Sequence, residues 1–155
     1  MKSLSKSHIN KPVYESNAKE FDEQRSKELF ERTWLDKFTS LLEKNSNILD
    51  VGCGSGEPIA KYLIESGMKI VGVDYSKAMI ELAKKRYPEH HWIIGDMCEL
   101  VLSDKFDALI SWNAFFHLTQ EEQRKVIPLF AKSLKPNGIL MLTIGHEEGE
   151  VYGTV

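Results

Sequence analysis

The sequence is poor in cysteine, has no long apolar run and has no excess of positive charge. Its only cysteines, Cys53 and Cys98, are 45 positions apart, which is the spacing of neither a zinc site nor a disulfide framework. No stretch approaches the ~20 apolar residues of a membrane span, and residues 1–12 lack the apolar region of a signal peptide. These absences predict a cytoplasmic chain with reduced thiols, no metal and no membrane partner.

The balance of charges argues against nucleic acid as a partner. The chain has 20 Lys and Arg against 23 Asp and Glu, a net charge of −3, and its basic residues are scattered among acids. Proteins that track phosphates need a basic stripe, so we expect no nucleic-acid partner. With 155 residues, 42% of them hydrophobic, the chain suffices for one core, and we expect a single domain overall.

Glycine has an ordinary share of the sequence, but three of the ten glycines lie close together after a short apolar run. The run contains an acid, Asp50, and leads into Gly52, Gly54 and Gly56. Glycine accepts a positive φ and exposes bare backbone, and the helix that follows turns its first amides toward the same space, so a ligand can lie there. The third glycine is one place early for a dinucleotide fingerprint, and Glu57 stands where that fingerprint has glycine. Such a loop can also serve only to pack a helix on a sheet, and both interpretations stay open.

Two later apolar runs also end in acids. The first run precedes Asp74, which lies 18 positions after Gly56, and the second precedes Asp96. A second parallel strand ends about 20 residues after such a glycine loop, where a carboxylate can accept hydrogen bonds from both hydroxyls of a ribose. An acid in this place can alternatively cap the next helix, as Ser76 also could. Together with Asp50, the acids mark three successive predicted strand ends.

Apolar runs alternate with segments of helical pattern, which predicts an α/β fold with a parallel sheet. A polar helical segment comes first, over about residues 13–44, and its apolar stripe should include Trp34, Phe38 and Leu41. The later helices should cover about residues 58–66, 76–87 and 121–134, and the strands 48–51, 69–74, 91–95, 106–112 and 139–144. Before the last strand, Lys-Pro-Asn-Gly indicates a tight turn.

The Asp-x-Gly-x-Gly-x-Gly loop and the acids after the next two strands resemble the class I S-adenosylmethionine-dependent methyltransferases, over about residues 47–144. The resemblance implies a Rossmann-like, doubly wound parallel sheet of order 3-2-1-4-5, in which the carboxyl ends of all strands share one ligand edge. It implies S-adenosylmethionine as cofactor, S-adenosylhomocysteine as product and no metal. It also implies an N-terminal helical lid over residues 1–45 and a cofactor-binding methyltransferase domain over 46–155.

The resemblance assigns roles at the ligand edge. Asp74 would bind the ribose and Asp96 the adenine amino group, while the charge of Asp50 would favour an amine over a pyrophosphate. Met79 and Met97 would enclose the purine, although either methionine can instead belong to the core. The residues expected to bind the cofactor are Asp50, Gly52, Cys53, Gly54, Gly56, Asp74, Tyr75, Met79, Asp96, Met97 and Trp112, together with two lid residues, Tyr14 and Arg25, that can alternatively be solvated.

The segment after the fourth strand, residues 111–118, should shape the acceptor site. It lacks the Asn-Pro-Pro-Tyr motif of amino-methylating DNA enzymes and the paired-glutamate loop of protein arginine methyltransferases, so the resemblance favours a small-molecule acceptor. His117 is the candidate catalytic base if the acceptor must lose a proton, because the ordinary histidine pKa of about 6.5 lies near neutrality. The same histidine can instead pack against the sheet or bond a carbonyl.

Two other functions and one structural question stay open. The chain could bind the cofactor without catalysis, or it could be another enzyme on a similar sheet, an NAD dehydrogenase or an aminopropyl transferase.

Proteins of the resembling family usually add a helix and antiparallel strands after the fifth strand. These last antiparallel strands are missing here, so we expect either a shortened form or a homodimer through the apolar edge at residues 139–144.

Overall fold

A computed structural model describes residues 32–112 and 114–144. The elements in chain order are α1 Arg32–Ser40, β1 Asn47–Val51, α2 Ile59–Glu65, β2 Lys69–Asp74, α3 Lys77–Arg86, β3 His91–Ile94, β4 Phe106–Ser111, α4 Gln120–Lys132 and β5 Leu134–Leu142. Short 3-10 helices lie at Met97–Glu99 and Phe115–His117. The five strands form one parallel sheet in the order β3-β2-β1-β4-β5, so the predicted fold class and strand order are confirmed.

Helices cover both faces of this sheet, as a parallel sheet requires. One face packs buried side chains of α1, α2 and α3 against those of the strands, among them Phe38, Leu63, Ile80, Ile48 and Ile110. The other face packs α4 and the two 3-10 helices, with Val126, Phe130, Phe115, Leu49 and Leu109 in its core. The central strands β1, β2 and β4 are therefore buried on both sides, which explains why they read as short continuous apolar runs rather than alternating ones. The edge strand β5 has no buried residue.

Helix α1 belongs to the predicted N-terminal lid, of which the structure describes only residues 32–45. The helix buries Leu35 and Phe38 completely but leaves Trp34 and Leu41 exposed. The predicted apolar stripe was right at Phe38 and wrong at Trp34 and Leu41, because Leu35 packs against the sheet instead. The exposed ring of Trp34 lies 4.8 Å from the ammonium of Lys37. Tyr14 and Arg25 lie outside the described residues, and the division of the chain at residue 45 stays a prediction.

The ends of α2, α3 and α4 lie within two residues of the predicted ones, whereas α1 ends at Ser40, four residues before the predicted end. The hydroxyl of Ser76 accepts the Met79 amide at the start of α3, and Gly67, with a φ of +89°, follows α2. Thr119 and Glu122 form a reciprocal capping box at the start of α4. These caps satisfy amides and carbonyls that a helix leaves without internal partners, which is why short sequence signals can predict them.

The last strand differs from its predicted range of 139–144. β5 begins at Leu134, which pairs with Phe106, and the next pair joins Ile139 to Ala108, so five positions of β5 oppose two of β4. The predicted Lys-Pro-Asn-Gly turn lies in this excursion, where Asn137 has a φ of +66°. The Lys-Pro-Asn-Gly segment therefore lies within β5 as an irregularity of its pairing instead of preceding the strand.

None of the helices described is long and apolar enough to cross a membrane. Within residues 32–112 and 114–144, no group of three or more His, Cys, Asp or Glu side chains is arranged to hold a metal ion.

Candidate functional site

The glycine loop, which we define as residues 52–57, is tied by its backbone to the end of β2. The Gly52 amide donates to the Val73 carbonyl oxygen at 2.7 Å, and the next amide donates to the same oxygen at 3.0 Å. The Gly54 amide donates to the carboxylate of Asp74 at 2.9 Å. The loop and the predicted ribose acid, which are 20 positions apart in sequence, therefore meet at one edge of the sheet.

The three glycines of this loop have different surroundings, although all have a positive φ. A Cβ at Gly52 would lie 2.5 Å from the Cβ of Ala114, and one at Gly56 would lie 3.3 Å from the ring of Tyr87. A Cβ at Gly54, where φ is +58°, would meet nothing within 4 Å. Close packing thus accounts for the outer two glycines, whereas the backbone of Gly54 faces open space that a ligand could enter.

Asp50, which precedes the glycine loop, and Cys53, which lies within it, are both buried. Asp50 is only 1% exposed, and the Cys53 thiol is buried and donates to the Gly54 carbonyl at 3.4 Å. Burial raises the pKa of Cys53 well above its usual range, and the nearby charges of Asp50 and Asp74 raise it further. The thiol is therefore neutral at physiological pH, so we expect Cys53 to contact a cofactor through its backbone.

Asp74 holds two backbone segments together. Its second carboxylate oxygen accepts the Ser76 amide at 2.9 Å, while Ser76 itself caps α3. The helix-capping alternative therefore applies to Ser76, and Asp74 links that cap to the amide of Gly54. Each carboxylate oxygen can accept more than one hydrogen bond, so this geometry is compatible with the predicted bonds to ribose hydroxyls. Tyr75, between the two residues, is half-buried.

The predicted adenine region lies after β3. Asp96 begins a 3-10 helix, and its carboxylate accepts the Cys98 amide at 2.9 Å. Burial and the neighbouring carboxylates of Asp96 and Glu122 raise the pKa of the Cys98 thiol to about 12. Met97 and Met79 are both buried, as core methionines are. Their contact with a purine stays a prediction.

The segment after β4 lies against the glycine loop. The Ser111 hydroxyl donates to the Val51 carbonyl at 2.9 Å, which joins the ends of the neighbouring strands β4 and β1. Trp112 is half-buried against the core of the first face, and the loop reaches Gly52 at Ala114. His117 is partly exposed, and its ring stacks on Phe116 with centroids 4.4 Å apart. The candidate base and the candidate cofactor loop therefore belong to adjoining segments.

The structure adds a group of contacts that sequence reasoning did not predict. Glu57 accepts a hydrogen bond from Tyr87, and Arg86 lies close to both Glu57 and Ser55. The sequence shows Glu57 only as a departure from the dinucleotide fingerprint, and the other two residues only as the end of a helix. No local signal connects residues that are about 30 positions apart.

Comparison with known proteins finds a family model and relatives that are all described as methyltransferases. A family model described as a methyltransferase domain matches residues 48–138. An uncharacterized methyltransferase of Oceanobacillus iheyensis is 33% identical over 133 residues, which are 84% of this chain and 61% of that protein. A dTDP-4-amino-2,3,4,6-tetradeoxy-D-glucose N,N-dimethyltransferase of Saccharopolyspora spinosa is 31% identical over 103 residues, 65% of this chain and 41% of that protein. The chain thus spans between 41% and 61% of the length of these curated relatives.

Solved structures share the fold. A TehB-like SAM-dependent methyltransferase from Corynebacterium glutamicum superposes with a TM-score of 0.75 at 24% identity, covering 92% of this chain and 78% of the other. PKMT2 from Rickettsia typhi, solved in complex with S-adenosylhomocysteine, gives a TM-score of 0.54 at 30% identity, covering 63% of this chain and 20% of the other.

Proposed function

The chain belongs to the methyltransferase domain family, and from this membership we propose that it transfers the methyl group of S-adenosylmethionine to a small-molecule acceptor. The single observation that carries the proposal is the open space at Gly54, where left-handed backbone without a side chain lies next to the carboxylate of Asp74. That arrangement provides both a surface for a nucleoside and an acceptor for its ribose.

The charges of this edge suit the proposed cofactor. S-adenosylmethionine carries an ammonium and a sulfonium, and the buried carboxylates of Asp50 and Asp74 lie close to the loop. The pyrophosphate of a dinucleotide would be repelled by the same carboxylates. The bound S-adenosylhomocysteine of the Rickettsia protein supports this choice, since that protein is 30% identical over the part it shares with this chain.

Residues of the chain would act mainly by binding and alignment. When bound, S-adenosylmethionine supplies an electrophilic methyl group, whose transfer needs an in-line approach and the exclusion of water. The glycine loop would position the cofactor, and Asp74 and Asp96 would fix its ribose and adenine. If the acceptor atom must lose a proton, His117 would accept it, because its segment adjoins the glycine loop through Ala114.

A relative of known acceptor supports the proposed acceptor class. The Saccharopolyspora relative is named as a methyltransferase of an amino sugar nucleotide, which supports a small molecule as the acceptor class here.

The free, buried cysteines of the described residues support a reducing compartment, and we propose a cytoplasmic location.

Isothermal titration calorimetry of the 155-residue chain tests the proposal, with S-adenosylmethionine, S-adenosylhomocysteine and NAD as separate ligands. Micromolar binding of both adenosyl ligands, with none of NAD, is the expected result. Preferential binding of NAD would point to a dehydrogenase. Binding of the adenosyl ligands without methylation of any member of an amine, hydroxyl and carboxylate panel would indicate a non-catalytic binder. No binding of any ligand would overturn the proposal for this chain.

A further inference from the structure

We infer that Glu57, Tyr87 and Arg86 form a loop clamp, a set of positioning residues that holds the glycine loop in the geometry that binds the cofactor. The inference rests on the function proposed above and adds residues to the same site. None of the three is among the residues expected to touch the cofactor, so the clamp would act through the loop.

The contacts of the loop clamp join the end of the glycine loop to the end of α3. The Tyr87 hydroxyl donates to Glu57 Oε1 at 3.1 Å, and Arg86 Nη1 lies 3.6 Å from Glu57 Oε2. The same guanidinium nitrogen donates to the Ser55 hydroxyl at 3.2 Å. One helix end therefore holds two side chains of the loop, on either side of Gly56.

Packing reinforces the polar contacts. A Cβ at Gly56 would lie 3.3 Å from the Tyr87 ring, so the loop backbone rests directly on that ring. The indole nitrogen of Trp92 in turn donates to the Tyr87 carbonyl at 2.9 Å. Tyr87 is thus bonded to Trp92 of β3 while it supports the loop, and this bond connects the clamp to the sheet.

The clamp acts on the half of the loop that the sheet does not hold. Backbone bonds to β2 fix the loop from Gly52 to Gly54. Among the described residues, the backbone bonds of the loop beyond that point are local ones, such as that from the Gly56 amide to the Cys53 carbonyl. Side-chain contacts to α3 therefore determine where the second half of the loop lies relative to Asp74.

The contact between Glu57 and Arg86 is shielded from solvent enough to help hold the loop. The side chains of Glu57 and Arg86 are 15% and 31% exposed, unlike those of the Lys77–Glu81 pair on the outside of α3, which are 72% and 64% exposed. Exposed pairs contribute little, whereas a shielded carboxylate that also accepts a phenol hydrogen bond is held more firmly. Burial and the charge of Glu57 both raise the pKa of Tyr87, so the phenol stays a donor across the physiological range.

The test compares Glu57→Ala, Glu57→Gln and Tyr87→Phe in the full 155-residue chain. We measure the Kd for S-adenosylhomocysteine by calorimetry, the free energy of unfolding by urea titration, and amide hydrogen exchange of residues 52–57. Glu57→Ala should raise Kd by about tenfold and Tyr87→Phe by several-fold, with faster exchange confined to the loop. Glu57→Gln keeps an acceptor for the phenol, so it should recover a large part of the affinity.

Glu81→Gln is the matched control, because it removes an ion pair from the same helix without contact to the loop. It should leave Kd and loop exchange unchanged. The clamp is refuted if the Glu57 and Tyr87 variants bind like the parent chain, or if their loss of affinity is explained by the unfolded fraction. If the parent chain binds S-adenosylhomocysteine and the variants bind equally well, only the clamp fails. If the parent chain itself does not bind S-adenosylhomocysteine, the proposed function fails, so the two failures are distinguishable.

Discussion

At the scale of single residues, Asp74 combines a structural role with a proposed functional one. Its two oxygens accept the amides of Gly54 and Ser76, so the carboxylate organises the loop before any ligand arrives. Loss of cofactor binding in a variant of Asp74 would not by itself show a contact with the cofactor, because removing the carboxylate also frees the amides of Gly54 and Ser76. A control variant must therefore separate lost contact with the cofactor from disturbance of the loop.

Asp74→Ala should weaken cofactor binding by on the order of 1–3 kcal/mol, because hydrogen bonds to the ribose are lost. The measurement is calorimetric titration with S-adenosylmethionine at a temperature where the variant is folded. Ser76→Ala is the control, since it removes the helix cap and about 1 kcal/mol of stability but leaves the carboxylate in place. Unchanged affinity in Asp74→Ala would refute the ribose assignment.

Gly54 and Gly52 should respond differently to substitution. Gly54→Asn should fold with nearly unchanged stability, because Asn tolerates the left-handed backbone and its side chain enters open space, but it should lose most cofactor affinity. Gly52→Ala should instead lower the free energy of unfolding by roughly 1–3 kcal/mol, because its Cβ would overlap that of Ala114. Circular dichroism during urea unfolding, with calorimetry, compares them. Loss of folding in Gly54→Asn would favour a purely packing role for that glycine.

At the scale of elements, the junction between β2 and β3 depends on a histidine that must be neutral. His90 Nδ1 accepts the Ile70 amide at 3.1 Å, where a protonated ring could only donate. Burial lowers the pKa of His90, the neighbouring Glu89 opposes that shift, and His91 adds to it. The edge strand β3 is therefore attached partly through a group that titrates.

The pH dependence follows from the direction of that shift. Because the folded pKa lies below the unfolded value of about 6.5, the unfolded chain binds more protons between the two values. The contribution of His90 to stability should be complete above about pH 6.5 and should disappear as pH falls through the folded pKa. Urea titrations from pH 8 to 5 should show the parent chain losing its advantage over His90→Asn. His91→Asn is the control, and parallel profiles for the parent and His90→Asn would contradict the assignment.

At the scale of the whole molecule, one sheet edge has an apolar strand. Among the described residues β5 pairs only with β4, and Leu140 on that strand is 39% exposed. An exposed edge of this kind can pair with another chain. The predicted homodimer through β5 therefore stays a prediction that the sheet order makes testable.

Sedimentation equilibrium should show a monomer–dimer equilibrium at micromolar concentration. Leu140→Lys should shift it toward the monomer by placing a charge on the edge strand. Ile127→Lys on α4 is a matched control, because Ile127 is also 39% exposed. A monomer at all concentrations, or equal effects of the two substitutions, would contradict dimerisation through this edge.

Elements that depend on neighbouring residues were predicted well, and those that depend on distant residues were not. The starts of α3 and α4 lie next to Ser76 and Thr119, whose side chains bond amides three positions away, and both starts are within one residue of the predicted ones. The start of β5 was missed because Leu134 is held by a partner in another strand, Phe106. At α1, both Trp34 and Leu35 fit a helical stripe with Phe38, and only the packed sheet decides which one turns inward.

The sequence by itself determined the fold class, the succession of strands and helices along the chain, and the meeting of acids and glycines at one edge, while the order of strands in the sheet came from the family resemblance. These follow from the spacing of apolar runs and from the rule that strand ends of a parallel sheet share an edge. Only the tertiary structure decided which glycine faces open space, that Asp74 holds the loop, and that Glu57 meets Tyr87 and Arg86. Those features are contacts between segments about 20 to 60 positions apart, and packing in three dimensions fixes such contacts while local spacing does not.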